Sequence, residues 1–102
     1  MADSKNSQAQ SMDSYRIPDE LLVQTVREES VILDPATGNY FTLNEVGTRM
    51  VQLYRESGDA DRVVQAIVSE YAVDDATARN DLQRLLADMA AHGLAEPRDP
   101  RA

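Results

Sequence analysis

The sequence predicts an α+β domain in which a three-stranded antiparallel sheet is followed by three helices on one of its faces. Three observations predict it. Short apolar and β-branched runs come first, separated by turn-forming residues. After Asn44 the apolar spacing lengthens from about two residues to about 3.6. A chain of 102 residues, 42% hydrophobic and 27% charged, has the size and composition of a single globular domain.

The elements follow in order. Residues 1–14, rich in Ser, Gln, Asn and Asp without periodicity, read as a tail. The domain is expected over residues 15–96, with a second polar tail at 97–102. Leu21–Val26 is the first strand, and Arg27-Glu28-Glu29 a polar turn. Val31–Leu33 is the second strand, stopped by Asp34-Pro35 because proline gives no N–H to a ladder. Ala36–Asn39 supplies a hairpin loop, and Tyr40–Leu43 the third strand. Asn44 caps a first helix whose buried stripe is Val46, Met50, Leu53 and Tyr54, ending at Ser57-Gly58. A second helix starts at Asp59 or Asp61 and buries Val63, Val64, Ile67, Val68 and Tyr71. After a break at Ala72-Val73, Asp74 and Asp75 open a third helix carrying Ala78, Leu82, Leu85 and Met89, with Leu86 on the flank. His92-Gly93 stops it, and Leu94 is expected to tuck back into the core.

Composition removes several classes of function. Without cysteine there is no disulfide, thiolate metal site or cysteine nucleophile, which fits a reducing compartment. The N-terminus lacks the apolar stretch of a signal peptide, and no segment reaches the ~20 apolar residues of a membrane span. A cytoplasmic protein with no membrane partner is expected. A net charge of −8 works against nucleic acid, which is bound largely by Lys and Arg replacing counterions.

Catalytic signals are equally thin. His92, the only histidine, reads as a cation near a helix C-terminus. Asp59-x-Asp61 and Asp74-Asp75 precede helices and read as caps, while Glu28-Glu29 reads as a solvated turn. The four glycines are scattered and form no phosphate-cradling loop. The reading is therefore of a protein that is no enzyme and needs neither cofactor nor metal. What remains is the sheet, whose first and third strands are its edges. A free edge can accept an extended peptide by β-augmentation.

A longer pattern sharpens this. Val31-Ile32-Leu33-Asp34 leads to Gly38-x-Tyr40-Phe41-x-Leu43-Asn44-Glu45-x-Gly47. After the helices, Val73-Asp74 leads to Ala78-x-x-Asp81-Leu82-x-x-Leu85-Leu86 and then Gly93-Leu94. This succession, running to Pro97 and covering about two thirds of the chain, resembles the PqqD-like family. The resemblance implies a winged-helix-like peptide chaperone, the recognition element for ribosomally made peptides that are later modified. Such a protein holds the leader of a precursor peptide along the third strand, against the third helix. It presents that leader to a partner, a radical SAM enzyme in pyrroloquinoline quinone assembly or a leader peptidase in lasso peptide assembly.

Carried onto this chain, the resemblance implies a peptide site at Tyr40, Phe41 and Thr42 on the strand and at Asp81, Arg84, Leu85 and Asp88 on the helix. Phe41 and Leu43 share the inward strand face, Tyr40 and Thr42 the outward one. The quinone branch usually shows a Cys-Asp-Gly-like turn after the first helix, where this chain has Arg55-Glu56-Ser57-Gly58-Asp59. The chain is thus closer to lasso-type and generic stand-alone members. Two other readings stand beside leader binding. One is a winged-helix DNA-binding regulator, opposed by Asp74, Asp75, Asp81 and Asp88 on a helix with only Arg79 and Arg84. The other is an adaptor or dimerisation module, since an exposed edge can equally pair with its own copy as a homodimer.

Overall fold

The computed structural model describes residues 15–97. Its elements are β1 (Tyr15–Arg16), β2 (Leu22–Val26), β3 (Glu29–Leu33), β4 (Tyr40–Leu43), α1 (Glu45–Ser57), α2 (Ala60–Tyr71), α3 (Asp75–Ala91) and β5 (Glu96–Pro97). The three expected strands are β2, β3 and β4. They form an antiparallel sheet in the order β2-β3-β4, so β2 and β4 are its edges.

The middle strand is longer than the sequence suggests, and the turn before it is shorter. Val26 pairs with Glu29, leaving only Arg27 and Glu28 at the bend. Arg27 takes φ 61° there, a left-handed conformation that two-residue hairpins demand of their first turn residue. Glu29 and Ser30 are polar and so look like turn, yet Glu29 faces solvent and Ser30 is buried with its hydroxyl satisfied. The Ser30 and Thr48 hydroxyls hydrogen-bond at 2.7 Å, pinning β3 to α1 through an otherwise apolar layer.

The β3–β4 loop is built from side-chain bonds to its own backbone. The Ala36 N–H donates to Asp34 Oδ1 and the Asn39 N–H to Thr37 Oγ1, while Gly38 takes φ 81°. The Asp34 N–H donates to the Asn39 carbonyl at 2.9 Å. That bond sets the phase of the whole ladder. Alternate residues of β3, namely Ser30 and Ile32, turn their backbone groups toward Leu43 and Phe41. The backbone groups of Tyr40 and Thr42 therefore point the other way, out of the sheet edge.

Each helix begins at an expected cap. Asn44 accepts from the Gly47 N–H, Asp59 from those of Asp61 and Arg62, and Asp74 from that of Thr77. The Thr77 hydroxyl and N–H hold the Asp74 carboxyl below the usual carboxylate range. α1 ends on Gly58 at φ 65°. α3 ends in a Schellman arrangement: the Gly93 N–H donates to the Ala90 carbonyl and the Leu94 N–H to that of Met89. Leu94 is thereby turned inward and fully buried, as expected.

The helices pack against one face of the sheet. Ile32 and Leu43 from the sheet meet Met50, Val51 and Tyr54 of α1, Val63, Val64 and Ile67 of α2, and Leu82, Leu86 and Met89 of α3. Outside the core, Arg49 of α1 and Glu70 of α2 form a two-pronged ion pair at 2.9 and 3.0 Å. The sequence reading did not anticipate one feature. Residues 15–16 and 96–97 pair as a second small sheet, with Tyr15 opposite Pro97 and Arg16 opposite Glu96. Pro97, assigned to the tail, is thus strand, at an end of the pairing where a missing N–H is tolerated. The Tyr54 hydroxyl donates to the Tyr15 carbonyl at 2.6 Å and ties this clasp to α1. The tails at 1–14 and 98–102 lie outside the described residues.

Candidate functional site

β4 passes into α1 through the single residue Asn44, so the start of α1 must lie beside the end of the strand. α3 returns on the same side, running opposite to β4. Phe41 meets the His92 ring edge-on at 5.1 Å, which fixes the C-terminal end of α3 at the start of β4. Between strand and helices lies a groove of about 330 Å³. Phe41, Leu43, Val46, Met50 and Leu85 give it apolar lining. Asp81, Arg84 and Asp88 form its rim on α3, with Thr42 and Asn44 on the opposite side.

Six of the seven residues expected at the site line this one groove: Phe41, Thr42, Asp81, Arg84, Leu85 and Asp88. Tyr40 does not. It is 61% exposed and borders a separate recess with Gly38, Asn39 and the Ala90–Gly93 turn. Its side chain shares the outer sheet face with Thr42, although its backbone shares the same free edge. Phe41 and Leu43 face inward as expected: Leu43 is buried in the core and Phe41 packs half-buried against it.

The residues missed are those α1 contributes. Val46 and Met50 sit one helical turn apart and look like core alone, yet half-buried Val46 and buried Met50 both line the groove. Gly47 lies between them, where an added Cβ would come within 3.2 Å of Asn44 Oδ1. The readable signal was topological: a one-residue strand-to-helix connection forces the first turn of α1 against the end of β4. His92 was read only as a helix-end cation. Its Nδ1 lies 2.9 Å from the Asp88 carbonyl, and its ring packs against Phe41 while bordering the neighbouring recess beside Tyr40.

The rim is charged but nearly uncompensated. Arg84 approaches Asp81 at 3.8 Å, an exposed pair of little energetic consequence. Asp88 has no ion-pair partner among the described residues. No group of His, Cys, Asp and Glu that could hold a metal ion occurs among the described residues, and no described helix is long and apolar enough to cross a membrane. A larger concavity, about 820 Å³, lies on the outer face of the sheet between β2 and β4. It is broader than the groove, but the free backbone groups of β4 do not converge on it.

Comparison with known proteins supplies the family and its structural relatives. The family model for coenzyme PQQ synthesis protein D (PqqD) matches residues 29–95. Among solved structures, TbiB1 in complex with the TbiA(beta) leader peptide superposes with a TM-score of 0.71 at 36% identity, covering 79% of this chain and 94% of that one. Lasso peptide synthetase B1 complexed with its leader peptide superposes with a TM-score of 0.71 at 28% identity, covering 82% of this chain and 99% of that one. No curated protein matches the chain in sequence.

Proposed function

The chain belongs to the PqqD family, and from that premise we propose that it binds the leader segment of a ribosomally synthesised precursor peptide and presents it to a modifying or processing enzyme. The observation that carries this reading is the edge of β4. The N–H and C=O groups of Tyr40 and Thr42 point outward, no strand among the described residues pairs with them, and they lie along a groove walled by α3. A leader strand added antiparallel to β4 takes its backbone bonds from Tyr40 and Thr42. Its residues opposite Phe41 and Leu43 then direct their side chains into the groove, because directly opposed residues share a sheet face. Apolar side chains there meet Val46, Met50 and Leu85, while Asp81, Arg84 and Asp88 select at the rim.

The leader complexes of TbiB1 and of lasso peptide synthetase B1 support this reading, and they favour a lasso-type client over the quinone pathway. The role is that of a carrier rather than an enzyme. Holding the leader by its backbone leaves the modifiable part of the precursor free, and docking carrier and client to one enzyme raises their effective concentration there. Lasso-type logic makes that enzyme a leader peptidase; the quinone branch would make it a radical SAM enzyme. DNA binding fits poorly. On α3, Arg79 is held by Asp75 at 3.2 Å and by Asp61 at 2.8 Å, so its charge is already spent, and the remaining carboxylates repel phosphate.

Fluorescence polarisation with two labelled peptides tests the proposal: the leader of a precursor encoded beside this gene, and the TbiA(beta) leader. Saturable binding of at least one, absent for its scrambled sequence, is the expected result. Binding of duplex DNA with neither leader bound contradicts it.

A further inference from the structure

The charges along the groove are unevenly balanced. Asp81, Arg84 and Asp88 rise from α3 on its rim. Arg84 lies one turn from each carboxylate and leans toward Asp81 at 3.8 Å, so that pair is close to neutral. Asp88 has no ion-pair partner among the described residues. His92, one turn further on, brings its Nδ1 to the Asp88 carbonyl rather than to the carboxylate. From α1 the groove receives Val46, Gly47 and Met50, none of them charged. Among the described residues, the groove is thus left with one uncompensated negative charge, toward the end where α3 meets Phe41.

That charge works against its own helix. Asp88 lies in the last turn of α3, which holds no Lys or Arg. Helix carbonyls already gather partial negative charge there, so a carboxylate is disfavoured and a cation favoured. A residue that opposes its own helix, on the rim of a binding groove, points to a ligand of opposite charge. We propose that Asp88 and the C-terminal end of α3 together select leaders with Lys or Arg at an inward-facing position of the added strand, and reject those with Asp or Glu there. The inference rests on the leader reading and adds which leader fits.

Reach supports it. Phe41 and Leu43 define two inward positions in an antiparallel leader, two residues apart and so about 6.6 Å along the strand. The His92 ring meets Phe41, and Asp88 stands one turn back along α3, about 6 Å, in the direction of Leu43. The carboxylate therefore falls within the span of the two positions. A Lys or Arg at either can lay its stem along Phe41 and Leu85 and lift its charge to the rim. The other position keeps an apolar side chain against Val46 and Met50. Asp81 lies about 10 Å further along α3, past the end of β4, and bears less on both. Because Asp88 is exposed, a single ion pair there is weak, and discrimination comes from adding repulsion of Glu to attraction for Lys.

Lysine and glutamate scans of the TbiA(beta) leader, and of the leader encoded beside this gene, test this by fluorescence polarisation. At one or both of two positions spaced by two residues, Lys is expected to bind about five- to tenfold more tightly than Glu at low ionic strength, and the gap to narrow as salt is raised. Full-length Asp88→Lys is expected to reverse the preference at those positions. Glu56→Lys, at an exposed residue in the last turn of α1, makes the same change in net charge and is expected to preserve it. Asp88→Asn is expected to abolish the preference while raising Tm by about 2–5 °C, a combination that a merely structural role would not give. Equal affinity for Lys and Glu at every position, a preference that survives Asp88→Lys, or one that Glu56→Lys also reverses would overturn the proposal. Saturable binding without charge preference leaves leader binding standing and removes only this rule, whereas binding of no peptide in either scan overturns both.

Discussion

The two edges of one sheet face different surroundings, and the contrast explains why one of them suits an incoming peptide. β4 borders a groove: α3 stands beside it, half-buried apolar groups line the space, and charged side chains form the rim. That shape admits a single extended chain and excludes a second sheet. β2 is uncharged and none of its residues is buried, and the concavity it borders opens on the outer face of the sheet rather than between strand and helix. Specificity resides where the helix stands.

Proline substitution separates the edges most strongly. The Thr42 and Thr25 N–H groups both point out of the sheet, so proline at either removes no bond within the chain. Thr42→Pro is expected to weaken leader binding by tenfold or more, about 1.4 kcal/mol. Thr25→Pro is expected to leave leader binding unchanged. Polarisation on both variants, with circular dichroism to verify folding, checks the pair; equal loss of binding in the two variants would break the comparison.

The next effect falls on both edges together. Ser30→Ala leaves the buried Thr48 hydroxyl without its partner and loosens β3 from α1, at a cost of about 1–3 kcal/mol in urea unfolding. A smaller effect belongs to the β4 side alone. The Asp74 carboxyl is held below its usual range in the folded state, so its capping contribution is present above the unfolded value of about 3.9 and is lost as pH falls through the lower folded value. Asp74→Ala is expected to lower Tm by several degrees at neutral pH and to flatten the acid limb of Tm against pH. The smallest effect belongs to the β2 side. Arg27→Gly relieves a left-handed residue and is expected to stabilise by about 0.5–1 kcal/mol, once glycine's greater freedom in the unfolded chain is subtracted. Thermal unfolding measures it.

Much of this was legible before any coordinates. Asn44, Asp59 and Asp74 announced their helices because a side chain that caps has few other uses before an apolar stripe. The inward set of β4 followed from alternation alone. The start of β3 was not legible, because Ser30 looks like turn until Thr48, eighteen residues later, is seen to satisfy it. Nor was the pairing of residues 15–16 with 96–97, since contacts between chain ends leave no periodic trace. At the groove, the α3 rim and β4 wall were readable from the family resemblance and helical spacing. The α1 floor was hidden because Val46 and Met50 serve core and groove at once. Tyr40 was placed at the site by the family resemblance along the third strand, although alternation already put its side chain on the outward face.

The central claim is that β4 is the docking edge for a leader, and amide NMR tests it most directly. Titrating the labelled chain with the leader of a neighbouring precursor is expected to give saturable shifts at residues 39–43 and 77–88. The Tyr40 and Thr42 amides are expected to gain protection from hydrogen exchange, while those of Val23 and Thr25 are unchanged by the peptide. Saturable binding with shifts confined to β2, or with the Tyr40 and Thr42 amides left unprotected, would contradict it.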